Sequence, residues 1–160
     1  MSTAAAVRVL DLLVQRGQTL ATAESLTGGL IGAALTEVAG ASAAYRGGVI
    51  AYATDLKTDL ADVPREVLAR DGPVASTTAV EMAEGVRRRC GADWGLAVTG
   101  VAGPEPQDGH PVGQVFVAVV GADRVHRVEL NLSGSRSAIR LGTVARALDL
   151  LAEVLGDRSR

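Results

Sequence analysis

The stretch Thr22-Ala23-Glu24-Ser25-Leu26-Thr27-Gly28-Gly29 carries a short apolar run into a serine, a threonine and two glycines, and small residues continue beyond it. That order of residue types predicts a strand over 18–23, a tight turn, and a helix over 26–38. A strand that turns directly into a helix commits the chain to helices layered over a sheet. A hydroxyl at such a junction stands among backbone N–H groups that lack helical partners. Ser25 can therefore be a nucleophile, an anion ligand or a helix cap.

The remaining segments repeat the alternation. Residues 4–15 place Ala6, Val7, Leu10, Leu13 and Val14 at helical spacing, and Arg16-Gly17 ends that helix. Residues 46–52 read as a second strand, and Ala53, Thr54 and Asp55 lead from it to Lys57. Pro64 opens a short helix through Leu68, and Asp71-Gly72-Pro73 is a turn. Ser76 or Thr77 is expected to cap the next helix, whose inner side carries Ala79, Met82, Ala83 and Val86. Its closing Arg87, Arg88 and Arg89 suit the negative end of the helix dipole. Trp94 to Thr99 is an apolar strand running into Gly100-Val101-Ala102-Gly103-Pro104, and 105–112 form a polar, mobile loop. Residues 114–120 and 125–132 make an antiparallel hairpin. The last helix turns Ile139, Leu141, Val144, Ala145, Leu148 and Leu151 inward. The succession predicts an α/β fold: a three-layer α/β/α sandwich over a mixed sheet, with parallel core strands and an antiparallel edge hairpin. One domain is expected for residues 1–160.

Composition narrows the chemistry. Hydrophobic residues are 48% of the chain and aromatic ones 2%, so the core must be Ala, Val and Leu packed closely, helix on sheet. A net charge of −2 with so few rings leaves neither a basic face nor a stacking platform, so no nucleic acid is expected as a partner. Cys90 alone excludes an internal disulfide. With no signal sequence and no long apolar span, no membrane association is expected and the location should be cytoplasmic.

Ligands of such sheets bind outside the carboxyl ends of the parallel strands. Ser25, the Tyr52–Lys57 segment and Thr99-Gly100 all fall there. A serine becomes a nucleophile when a neighbouring base takes its proton. His126 lies within the hairpin and His110 in the polar loop, so neither suits that role. Lys57 suits it better: the chain has 15 arginines and this single lysine, and a lysine can deprotonate where an arginine cannot. Lowering its pKa from about 10.4 towards 7 costs roughly 4 kcal/mol, which burial can impose. Tyr52 could then relay a proton to the leaving group. Plainer readings stand beside these, with Ser25 a cap, Tyr52 a core residue, Thr99 a strand end and Lys57 an accident of coding bias. Thr27-Gly28-Gly29-Leu30-Ile31-Gly32 imitates a dinucleotide-binding fingerprint but has threonine in place of its first glycine. A non-catalytic anion-binding module is also open.

Several ordered motifs carry a resemblance over nearly the whole chain. Ala23 to Gly29, Arg46 to Tyr52 followed by Lys57, Val98 to Pro104, Pro111-Val112-Gly113, and Ser133-Gly134-Ser135-Arg136 with Arg140 resemble the CinA C-terminal domain family, whose enzymes are nicotinamide-nucleotide amidohydrolases. The resemblance implies deamidation of a small nucleotide, nicotinamide mononucleotide, to nicotinate mononucleotide and ammonia, with no metal and no cofactor. It implies Ser25 as nucleophile, Lys57 as general base and Tyr52 as proton relay. Backbone N–H groups near Ser25 would stabilise the oxyanion. Thr99, Gly100, Ala102, Gly103 and Arg140 would hold the ribose phosphate, and Glu24, Thr27, Gly28 and Gly29 would also face substrate.

Two departures from the family pattern are visible. Glu105-Pro106-Gln107-Asp108-Gly109-His110 replaces further glycines, and Thr54-Asp55 stands where Asn-Glu is common. Acidic residues beside a phosphate weaken its binding, unless this loop points elsewhere. Some relatives carry an extra N-terminal domain, so this chain is expected to act alone or as a homo-oligomer. The alternatives are a nucleotide-binding relative with lost or altered activity and, more distantly, a dinucleotide-binding oxidoreductase.

Overall fold

A computed structural model describes residues 3–157; residues 1, 2 and 158–160 of the expected domain lie outside the described residues. The elements run α1 (Thr3–Arg16), β1 (Leu20–Glu24), α2 (Leu30–Thr36), a 3₁₀ turn at Ala41–Ala43, β2 (Tyr45–Ile50), α3 (Thr54–Ala61), α4 (Arg65–Asp71), α5 (Ser76–Arg89), β3 (Trp94–Gly100), β4 (Gln114–Val120), β5 (Val125–Asn131) and α6 (Arg136–Gly156). The five strands form one sheet in the order β2-β1-β3-β4-β5. Pairings β2–β1 and β1–β3 are parallel, and β3–β4 and β4–β5 are antiparallel, so this is the mixed α/β sandwich that the sequence pattern predicts.

Burial follows position in the sheet. Every residue of central β1 is buried, whereas β2 and β5 alternate along much of their length because one side of each edge strand meets water. α1, α2 and α6 cover one face with Val9, Leu13, Ile31, Leu35, Leu148 and Leu151 in its core. α3, α4 and α5 cover the other, around Met82, Ala83, Val86 and Ala97. Packing there is close enough that a Cβ on Gly95 would strike the Ala83 carbonyl.

Five local expectations are corrected. Val7 and Val14 are 40% and 54% exposed, because the buried stripe of α1 runs through Ala6, Val9, Leu10 and Leu13. Leu141 is 44% exposed for the same reason of phase on α6. α2 begins at Leu30 rather than Leu26: Gly28 and Gly29 hold φ of 58° and 102°, left-handed values that end the turn before a helix can start. Gly29 is its N-cap, so Ser25 caps nothing, and Ala75 rather than Ser76 or Thr77 occupies the cap of α5. Thr77 instead donates its hydroxyl to Asp71 at 2.6 Å.

Among the described residues, no helix is long and apolar enough to cross a membrane.

Candidate active site

Three segments meet at the carboxyl ends of the parallel strands. Ser25 follows β1 directly and is tied to β3 by its N–H, which donates to the Val98 carbonyl at 3.1 Å. The chain then folds over Leu26 and Thr27, and the Gly28 N–H closes the turn on the Ser25 carbonyl at 3.1 Å. From the side of β2, Ala51 donates its N–H to the Glu24 carbonyl at 2.8 Å, three residues before α3 begins.

Lys57 projects from the first turn of α3 and is 2% exposed. Its Nζ meets Ser25 Oγ at 2.9 Å, the Ala51 carbonyl at 2.8 Å and the Tyr52 carbonyl at 3.3 Å. No carboxylate pairs with it among the described residues. Burial alone pulls its pKa from the ordinary 10.5 down to about 8. A neutral amine fits these partners completely, since two carbonyls accept its two hydrogens and its lone pair is left for the Ser25 hydroxyl.

The pair opens onto a cavity of about 150 Å³. A space of that size admits a six-membered ring. Thr99, Gly100, Val101, Ala102 and Gly103 form one wall, Pro73 and Val74 another, and Tyr52, Thr54, Glu105, Gln107 and Arg136 the rim. No described residue accepts the N–H of Ala102 or Gly103. Thr99 donates its hydroxyl to the Pro73 carbonyl at 2.7 Å, so it shapes the wall and leaves its oxygen free to accept. Gly100 faces protein rather than ligand: a Cβ there would lie 2.7 Å from the Gln114 carbonyl and 2.8 Å from Val115 Cα.

The structure divides the expected binding residues. Thr99, Gly100, Ala102 and Gly103 line the cavity with Ser25, Tyr52 and Lys57. Glu24, Thr27, Gly28, Gly29 and Arg140 do not line it. The Glu24 carboxylate is buried and accepts from Thr27 Oγ1 at 2.6 Å, Ile31 N at 2.8 Å and Gly32 N at 3.1 Å. Arg140 donates to the carbonyls of Leu26 and Thr27 at 2.9 and 3.3 Å. Tyr52 is 60% exposed rather than in the core, and its hydroxyl accepts from Arg136 at 3.3 Å instead of meeting Ser25 or Lys57. The Ser25 N–H, already bound to Val98, is not available to an oxyanion, whereas no described residue accepts the N–H of Leu26 or Thr27.

Arg136 is the site residue that spacing did not single out. Its Nη1 donates to the Gly103 carbonyl at 2.6 Å, and its guanidinium closes the rim across from Lys57. It lies four residues from Arg140 on α6, so both share one helix face, and only the position of α6 along its axis decides which reaches the cavity. Glu105 does face the site: the acidic departure is at the rim. His110 pairs with Gln114 and His126 with Arg124, both away from Ser25. Among the described residues no three His, Cys, Asp or Glu side chains are grouped to hold a metal.

Comparison with known proteins adds an independent line. A family model described as the CinA C-terminal domain matches residues 2–155. A CinA-like protein of Frankia casuarinae is 51% identical over 147 residues, which cover 92% of this chain and 34% of that protein. A CinA-like protein of a Synechococcus strain is 50% identical over 146 residues, 89% of this chain and 35% of that one. The chain thus spans about a third of the length of the curated relatives it matches. The crystal structure of competence/damage inducible protein CihA from Agrobacterium tumefaciens superposes with a TM-score of 0.91 at 39% identity, covering 97% of this chain and 95% of that one. A CinA superfamily protein from Klebsiella pneumoniae gives 0.93 at 33% identity, covering 97% and 98%.

Proposed function

This chain belongs to the CinA C-terminal domain family, and from that premise we propose that it is a serine amidohydrolase that deamidates nicotinamide mononucleotide to nicotinate mononucleotide and ammonia. The observation that carries the reading is the buried, unneutralised Lys57 Nζ at 2.9 Å from Ser25 Oγ, beside a cavity sized for one ring. The pyridine carboxamide enters the cavity, and the ribose phosphate stays at the rim. There Arg136 supplies a guanidinium, and the N–H groups of Ala102 and Gly103 are free to donate.

Ser25 Oγ attacks the carboxamide carbon while its proton passes to the lone pair of Lys57. The carbonyl becomes a tetrahedral oxyanion facing the unaccepted N–H of Leu26, the residue after Ser25 that lines the cavity. As the C–N bond breaks, the lysine proton goes to the departing nitrogen, leaving ammonia and an acyl ester on Ser25. Water then attacks the ester, Lys57 takes its proton, and collapse returns the serine hydroxyl and the free carboxylate. Lys57 serves both as base and as acid, so a relay through Tyr52 requires the phenol to leave Arg136 and turn inward. A well-placed base contributes on the order of 10²–10⁴ in rate, and one oxyanion donor about 10²–10³. The chemistry needs no metal or organic cofactor, and we extend the proposal to a cytoplasmic homo-oligomer.

The deciding experiment mixes purified protein with nicotinamide mononucleotide and measures ammonia and nicotinate mononucleotide. Equal release of both, lost in Ser25→Ala, is expected. Glu105 at the rim favours one rival reading, a family member with an altered substrate. Release of ammonia from the nucleoside but not from the phosphorylated form would support that rival.

A further inference from the structure

Arg140 sits behind the site rather than in it, and what it holds is the turn that carries the nucleophile. Its Nε donates to the Leu26 carbonyl at 2.9 Å and its Nη2 to the Thr27 carbonyl at 3.3 Å, so one guanidinium grips both central residues of the turn. From the opposite side Glu24 binds Thr27 Oγ1 and the first N–H groups of α2. The turn after Ser25 is therefore held between a cation on α6 and an anion on β1. The fit is close, since a Cβ on Gly28 would lie 3.4 Å from Arg140 Nη2.

A trans peptide points its N–H opposite its C=O, and a donor on the carbonyl polarises the N–H of the same unit. Thr27 is fully buried and off the cavity, whereas Leu26 lines it, and no described residue accepts the Leu26 N–H. Arg140 acts on that donor through two peptide units: it binds the Thr27 carbonyl, the Gly28 N–H of the same unit donates to the Ser25 carbonyl, and the Leu26 N–H shares its unit with that carbonyl. We propose that Arg140 is a positioning residue of catalysis: it sets and polarises the peptide groups after Ser25 that stabilise the oxyanion, and it does not bind the substrate phosphate. This rests on Ser25 being the nucleophile.

The test compares Arg140→Ala, Arg140→Gln and Arg140→Lys with the wild type by two readouts. One is the rate at which a small alkyl fluorophosphonate labels Ser25. In that step the Oγ–P bond forms, fluoride leaves and the serine proton goes to Lys57, with no need of the natural substrate. The other is kcat and KM for nicotinamide mononucleotide. Labelling and kcat are expected to fall together by about 10²-fold in the Ala variant, with KM unchanged within about threefold. The Lys variant, which keeps the charge but not the fork, should lie between. Millimolar methylguanidinium should restore part of the Ala variant's rate, which a merely structural loss would not allow. Folded variants that label at the wild-type rate overturn the proposal, as does a raised KM with kcat preserved. If the Ala chain does not fold, the Gln and Lys variants decide by the same criteria. A wild type that labels but releases no ammonia removes the substrate reading and leaves the Arg140 comparison intact. A wild type that does not label overturns both.

Discussion

The turn after β1 and the turn after β3 lie side by side at the carboxyl edge of the sheet, and each runs from a buried strand into glycine, yet their backbones are used differently. In the first, Ser25 N–H is bound to Val98, Gly28 N–H to Ser25, and the carbonyls of Leu26 and Thr27 to Arg140. At the cavity this leaves the serine hydroxyl and the unaccepted Leu26 N–H. In the second, residues 99–103 all line the cavity, and the turn is held by Gly100 packing against β4, by Thr99 on the Pro73 carbonyl and by Arg136 on the Gly103 carbonyl, which leaves the Ala102 and Gly103 N–H groups unaccepted. On the proposed reading, one turn is braced to hold a reacting atom still and the other is a wall that a ligand lies along. Rigidity is concentrated where misplacement of a nucleophile by an ångström costs most in rate.

The largest expected effect breaks the first turn's chemistry. Ser25→Ala should lower kcat for deamidation by at least about 10³-fold while nucleotide binding, followed by calorimetry, persists; retained turnover would require another nucleophile. Lys57→Met should cost a similar factor yet raise the melting temperature by several degrees, because a buried ammonium without a counter-charge is replaced by an apolar chain of like length. A lower melting temperature would mean that its bonds to Ala51 and Tyr52 outweigh its desolvation.

The same lysine gives a pH signature. The base form is required, so kcat/KM should climb with pH and level off above about 8, the depressed value of Lys57. Between about 8 and 10.5 the unfolded chain holds a proton there that the folded chain has lost, so folding stability should rise with pH through that window. Lys57→Met should abolish the Lys57 contribution to that rise in denaturant titrations.

Gly100→Ala tests the second turn from behind. Its Cβ must displace β4 backbone, and a loss of about 2–3 kcal/mol in unfolding free energy is expected. An unchanged stability with weakened nucleotide binding would mean that this glycine serves the ligand. Arg136→Ala should raise KM about tenfold with a smaller change in kcat, the reverse of Arg140→Ala, and equal behaviour of the two would erase the distinction between rim and brace. The smallest effect is expected of Glu105→Gln, a KM two- to fivefold lower as a carboxylate leaves the phosphate's neighbourhood.

Much was legible in the sequence because it is local. Apolar periodicity and glycine placement determined the alternation of strands and helices, the mixed sheet, and the arrival of Ser25, Lys57 and Thr99 at one edge, since strand ends are fixed by where apolar runs stop. The single lysine among arginines pointed to Lys57, and its burial follows from its place on α3 against the sheet. Orientation was decided only in three dimensions. Tyr52 looks like a core residue on a strand, yet the strand ends at Ile50 and the ring lies at the rim. Glu24 and Arg140 look like polar groups waiting for a ligand, but in the fold the Glu24 carboxylate accepts from this chain's own hydroxyl and N–H groups, and Arg140 gives two of its N–H groups to this chain's carbonyls away from the cavity lining. Arg136 and Arg140 are indistinguishable by spacing, because four residues return a helix to the same face about 6 Å further on, and only the docking of α6 against both turns selects which one meets the cavity.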